Sequence, residues 1–180
     1  MFDPSVKLPT MALVLLLALP FIGSAIAAVL PTNARNAAST WAGLVALGSL
    51  AIAVRMFPQV RDGVVLREHY AWLPGAGLDF VIRVDGFAWM FAMLVAGIGL
   101  LVVVYARYYM SSADPVPRFF AFLLAFMGAM LGVVLSGNLI QMVFFWELTS
   151  LCSFLLIGYW HHSRDARRGE RMSLIVTGRG

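Results

Sequence analysis

Apolar residues in this chain gather into long unbroken blocks, and each block has about the length of a membrane-crossing helix. A helix through the hydrocarbon core of a bilayer needs roughly 20 residues at about 1.5 Å rise each. Five blocks meet that length, at 8–30, 37–57, 86–109, 119–136 and 139–160. Pro20 marks a kink in the first, Pro31 closes it and Pro58 closes the second. Gly137-Asn138 forms a tight turn between the fourth and fifth. After Arg171 the sequence turns apolar again, so a sixth helix begins at 172, and the chain stops at Gly180. The pattern predicts an all-α polytopic membrane protein with five transmembrane helices plus the start of a sixth. Residues 1–180 then form one transmembrane portion, truncated relative to a complete bundle.

The one sizeable polar segment lies between Pro58 and Gly86. Within it, the runs 64–72 and 78–84 flank Pro74-Gly75-Ala76-Gly77, and the second run alternates apolar and polar residues in part. Alternation on either side of a Gly-rich break predicts a β-hairpin lying on the membrane surface. His69 stands alone there, as a solvated loop histidine rather than a metal ligand.

Composition agrees with the pattern. A hydrophobic fraction of 61%, a charged fraction of 12% and a mean hydropathy of +0.86 are too apolar for a soluble domain. Cys152 is the only cysteine, which excludes an intramolecular disulfide and suits a small apolar filler. The net charge of +4 does not imply nucleic-acid binding, because the basic residues form no stripe with interleaved aromatics. It sets orientation instead. Arg164, Arg167, Arg168 and Arg171 crowd into 161–171, which the positive-inside rule assigns to a cytoplasmic loop. Counting back through five spans puts the N-terminus outside, the Arg35 and Arg107–Arg118 loops inside and the 58–86 segment outside. Lys7, the apolar block after it and Ala25-Ile26-Ala27 also fit a cleaved signal peptide, but cleavage would reverse that parity.

Small residues recur at four-residue spacing, as Gly128, Gly132 and Ser136 in the fourth span, Gly23 and Ala27 in the first, and Ala92 and Ala96 in the third. Such spacing lets helices approach closely in lipid, and the fourth span is expected to offer that face to further helices beyond this chain. Trp41, Trp89, Tyr108, Tyr109, Tyr159 and Trp160 fall near span ends, as interfacial aromatics do. The sequence carries no nucleotide loop, metal cluster, catalytic triad or haem-attachment motif, and no cofactor is expected.

One residue breaks the fifth span. Counting inward from Leu139, Glu147 sits about 12 Å into an apolar layer about 30 Å thick. A carboxyl group there must be neutralised or paired, so it marks a proton or ion path before anything else. On a helix, Ser150 lies beside it as a supporting hydroxyl, with Val143, Phe144, Leu151 and Phe154 completing its surroundings. Those apolar neighbours are expected to raise the carboxyl pKa and a nearby cation to lower it. Asn138, Gln141 and Thr149 point to the other side. The bland alternative is a glutamate permanently paired or protonated to hold two helices together.

The residues 144–150 (Phe-Phe-Trp-Glu-Leu-Thr-Ser) and 153–162 resemble the fifth helix of the large A subunit of Mrp-type multisubunit monovalent cation/proton antiporters. Upstream, 83–87 and 104–109 resemble the start and end of that subunit's third helix, and 118–122 with 128–136 its fourth. The likeness is specific over 83–177 and generic in hydrophobicity before that. Proton-pumping membrane-arm subunits of respiratory complex I share the architecture, although Trp146-Glu147-Leu148-Thr149-Ser150 looks more like the antiporter branch. Two positions depart from the family pattern. Gly137 stands where many relatives carry an acidic residue, and Arg179 where the family continues with small apolar residues.

The resemblance implies an N-terminal portion of a subunit exchanging sodium or potassium for protons, in a bacterial inner membrane, with other antiporter subunits as partners. It assigns Glu147 to intramembrane proton transfer and implies a lysine facing it from a later, broken helix. This chain has one lysine, Lys7, outside the spans, and 12 arginines, which stay protonated. The proton switch is therefore half present. The alternatives are a redox-driven pump subunit of a complex I or hydrogenase type, and an inactive truncated gene product.

Overall fold

The computed structural model describes residues 11–73, 78–110 and 115–177, with side chains over 11–71, 79–110 and 115–158. The order is α1 (Ala12–Val29), α2 (Arg35–Arg55), α3 (Phe57–Arg61), β1 (Leu66–Leu73), β2 (Leu78–Val84), α4 (Gly86–Tyr109), α5 (Val116–Leu135) and α6 (Leu139–Thr177). Among the described residues five helical segments are long and apolar enough to cross a membrane, Leu139–Gly158 of α6 being one of them. The protein is a polytopic membrane protein with a small antiparallel sheet.

Element ends follow local chemistry. α4 starts where expected, because Asp85 caps it by accepting a 2.8 Å hydrogen bond from the Ala88 amide. α1 stays helical through Pro20. Beyond α2 the chain does not stop at Pro58. Proline is tolerated in a first helical turn, and the short α3 begins there. The segment 161–171, expected to be a loop, is helical and continues α6 unbroken to Thr177, so no separate helix starts at 172. It contains no proline, and its Arg, Ala and Glu residues favour helix. The expectation at Arg179 and the turn at 74–77 lie outside the described residues.

α5 lies at the centre, packed against α1, α2, α4 and α6. Its small residues are used within the chain. A Cβ on Gly128 would meet the Phe21 ring of α1 at 3.0 Å, and one on Gly132 would overlap the Phe145 ring of α6. The face expected to receive helices from elsewhere is therefore already covered by α1 and α6. Gly132→Leu should force α5 and α6 apart and cost about 1–3 kcal/mol, the usual penalty of overpacking. Thermal unfolding in detergent micelles checks this, against Gly97→Leu as a control at a site with open space around it.

Two apolar clusters stack along the bundle. One gathers Ala38, Ala42, Val103, Ala106 and Phe120, with Leu156 against it. The other gathers Leu13, Met56, Ile82, Leu135 and Phe145. Trp41 and Trp89 do more than sit near the span ends. Their indole N–H groups donate to Gly23 O (3.0 Å) and Ala53 O (2.7 Å) on neighbouring helices. Ser24 Oγ likewise donates to Ala121 O at 2.7 Å, joining α1 to α5.

The hairpin forms where the alternation predicted it, with Leu66 opposite Val84 and Tyr70 opposite Phe80. It does not merely rest on a membrane surface. Val81, Ile82 and Val84 are buried, the latter two in the second cluster. His69 is exposed on β1, opposite Val81. Tyr70 donates 2.9 Å to Glu68, which holds its phenol above the ordinary range.

Candidate functional site

α6 carries two different faces. Gln141, Phe145 and Cys152 are buried, Leu148 partly so, and they look toward the bundle. Phe145 packs 6.3 Å from the Phe21 ring and 6.3 Å from the Phe80 ring, so one side chain joins α1, the hairpin and α6. The opposite face presents Val143, Phe144, Glu147, Ser150, Leu151 and Phe154, all exposed.

Glu147 therefore lies on the side of α6 that the described residues leave uncovered. Leu148 beside it belongs to the hairpin-end cluster and Leu156, about two turns on, to the other, so Glu147 sits between the two ends of the bundle. Among the described residues no hydrogen bond or ion pair reaches it. The apolar enclosure expected from Val143, Phe144, Leu151 and Phe154 is not formed among the described residues, because those side chains face outward with it. Ser150 shares the face, but its hydroxyl donates to Trp146 O at 3.4 Å rather than to the carboxyl group. Thr149 also donates to Trp146 O, at 2.6 Å. Gln141 is turned away from Glu147, as the helical spacing predicted.

What the sequence did not reveal is how α6 is anchored. Strand β2 is held to the α5–α6 turn by a run of polar contacts. Gly137 N donates to Val81 O at 2.8 Å, and Ile82 pairs with Ser136 in an isolated antiparallel bridge. The Val81 amide donates to Gln141 Oε1 at 2.9 Å, and Asn138 Nδ2 to Asp79 O at 2.7 Å. Asn138 Oδ1 accepts from the Gln141 amide at 2.7 Å, capping α6. Asn followed three residues later by Gln, at the head of an apolar run, was the available signal. Gly137 is needed for this approach, since a Cβ there would overlap the Val81 side chain and lie 2.9 Å from its carbonyl oxygen.

Near the same end, α4, α5 and β2 border a cleft of about 330 Å³ with the Arg83–Asp85 ion pair (2.9 Å) and Ser136 in its wall. Glu147 does not line it. Among the described residues no group of three His, Cys, Asp or Glu side chains converges as a metal site would require.

A bundle of apolar helices around a central small-residue helix, with a carboxyl group midway along one of them, defines a polytopic membrane protein. The comparisons with known proteins specify which. Residues 72–120 match the family model described as NADH-Ubiquinone oxidoreductase (complex I), chain 5 N-terminus. Residues 136–178 match the one described as NADH:quinone oxidoreductase/Mrp antiporter, TM. The chain is 52% identical over 178 residues to the A/B subunit of a probable K(+)/H(+) antiporter of Rhizobium meliloti, a match that covers 99% of this chain and 18% of that protein. It is 47% identical over 116 residues to the A subunit of the Na(+)/H(+) antiporter of Alkalihalophilus pseudofirmus, covering 64% of this chain and 14% of that one. Its fold matches a chain of the Mrp complex from Dietzia sp. DQ12-45-1b with a TM-score of 0.66 and 29% identity, over 81% of this chain and 16% of the other. The chain belongs to the family of Mrp-type antiporter A subunits and corresponds to their N-terminal part. It spans less than a fifth of the length of these two relatives.

Proposed function

We propose that the chain contributes the N-terminal helices of a subunit that exchanges sodium or potassium for protons across a bacterial inner membrane, with Glu147 in the proton path. One observation carries this. Among the described residues Glu147 is the only carboxylate inside a membrane-crossing segment, and it lies on the face of α6 that no other helix of the chain covers. A carboxyl group facing apolar surroundings favours its proton, and one facing a cation releases it. Alternation between those two settings moves a proton. The cation comes from a segment or partner protein that packs on this face, and Ser150 tunes the carboxyl group from the next turn. The antiporter relatives support the ion classes.

Orientation follows from charge. Among the residues whose side chains are described, the end of the bundle holding Arg35, Arg107 and Arg118 has no acidic residue, whereas the hairpin end balances Arg61, Arg67 and Arg83 with Asp62, Glu68, Asp79 and Asp85. The first end and 161–171 are placed in the cytoplasm, and the N-terminus outside. Ser163→Cys, in a background lacking Cys152, should stay unlabelled by a membrane-impermeant thiol reagent applied to intact cells. Labelling from outside contradicts this arrangement.

The function is tested in everted vesicles from cells with and without this chain. An imposed sodium or potassium gradient should drive proton movement only when the chain is present, with no electron donor added. Proton movement that needs an electron donor instead identifies a redox-driven pump, to which the first family match also extends.

A further inference from the structure

Among the described residues, Arg35 and Arg107 have no carboxylate to compensate them. Arg35 Nη2 donates to the Arg107 carbonyl at 2.8 Å, and Arg107 Nη1 reaches Thr40 Oγ1 at 3.4 Å. These contacts fix both guanidinium groups where α2 begins and α4 ends, and each keeps further N–H donors. Among the described residues no carboxylate comes within ion-pair distance of either. The hairpin end differs, since Arg83 there is paired with Asp85 at 2.9 Å.

The surface below the pair is apolar and uncovered. Leu44 and Leu47 follow Thr40 along one face of α2 and are 58% and 52% exposed. On α4, Val104 and Leu101 are also exposed, and Gly97 deeper along the same helix has nothing within 4 Å of a Cβ. Two fixed cations therefore stand at the head of an apolar strip that runs into the bilayer.

We propose that this place binds an anionic phospholipid, its phosphate held between Arg35 and Arg107 and an acyl chain lying along Leu44, Leu47 and Val104. The complementarity is of charge and of depth. A guanidinium matches phosphate geometry through paired N–H donors, and helix ends lie at headgroup level. The proposal depends on the membrane architecture and is independent of the role given to Glu147.

Native mass spectrometry of the delipidated full chain, titrated with phosphatidylglycerol and separately with phosphatidylcholine, tests it. Two arginines at a membrane surface should favour the anionic lipid by roughly tenfold or more. The double variant Arg35→Gln/Arg107→Gln should reduce that preference to near equality, while Arg61→Gln at the hairpin end leaves it intact. Excess inorganic phosphate should not displace the lipid, because it lacks the chains that hold the strip. Equal retention of the two lipids by the unchanged chain overturns the proposal. So does an undiminished preference in the double variant, or displacement by inorganic phosphate, which would point to a free-anion site. Should the double variant fail to insert, Arg107→Gln alone decides, with a severalfold loss of preference expected and an unchanged preference overturning the proposal.

Discussion

Gly137→Asp should loosen the hairpin from the bundle and destabilise the protein by about 1–3 kcal/mol, in the range of an overpacked core. The cause is local and cannot be relieved by a rotamer change. The Cβ of any residue here lies 2.9 Å from the Val81 carbonyl oxygen, which is backbone, and overlaps the Val81 side chain. A carboxylate adds repulsion against that oxygen. It also disturbs the Gly137 N–H donated to the same carbonyl and the Gln141 bond on the Val81 amide. Gly137→Ala should show most of the steric part, and the difference between the two variants isolates the charge. Unfolding temperature in detergent, together with limited proteolysis across 64–84, checks the result. The acidic residue that family resemblance expects at this position is thus excluded by how closely β2 approaches in this chain.

The hairpin and the five membrane-length spans were legible because both rest on patterns along the chain. Alternation on either side of Pro74-Gly75-Ala76-Gly77 specified paired strands, and apolar block length specified spans. The faces of the helices were much less legible. In lipid, the protein-facing and lipid-facing sides are both apolar, so periodicity does not tell them apart. Gly132 could be recognised as a close-packing position, yet nothing in the sequence named Phe145 as its partner. The anchoring of α6 was hidden for another reason. Asn138 and Gln141 act on backbone groups of β2 some 60 positions earlier, and such pairings leave no local trace. The arginines of 161–171 report charge and so suggest a loop, although arginine is also a good helix former.

Glu147 stands out in the sequence by its depth in the fifth span and by the resemblance carried by 144–150, and the structure adds which way it faces. Glu147→Gln should leave the fold intact, with stability changed by no more than about 0.5 kcal/mol, because the side chain is exposed and makes no hydrogen bond or ion pair among the described residues. The amide keeps the shape and removes the proton-binding group. Transport should therefore fall by far more than protein abundance, by about tenfold or greater, the least expected when an obligatory proton carrier is lost. Ser150→Ala should have a milder effect, since its hydroxyl already rests on Trp146 O and contributes at most one hydrogen bond. A glutamate serving only to join helices would behave in the opposite way, lowering abundance and stability first.

The central claim is that Glu147 carries protons for cation exchange, and proton movement in everted vesicles tests it most directly. The vesicles contain the complete antiporter, either unchanged or carrying Glu147→Gln, at matched protein levels, and a sodium or potassium gradient is imposed. Cation-driven proton flux is expected with the unchanged chain, and near-complete loss of it in the variant. Undiminished flux in the variant would contradict the claim.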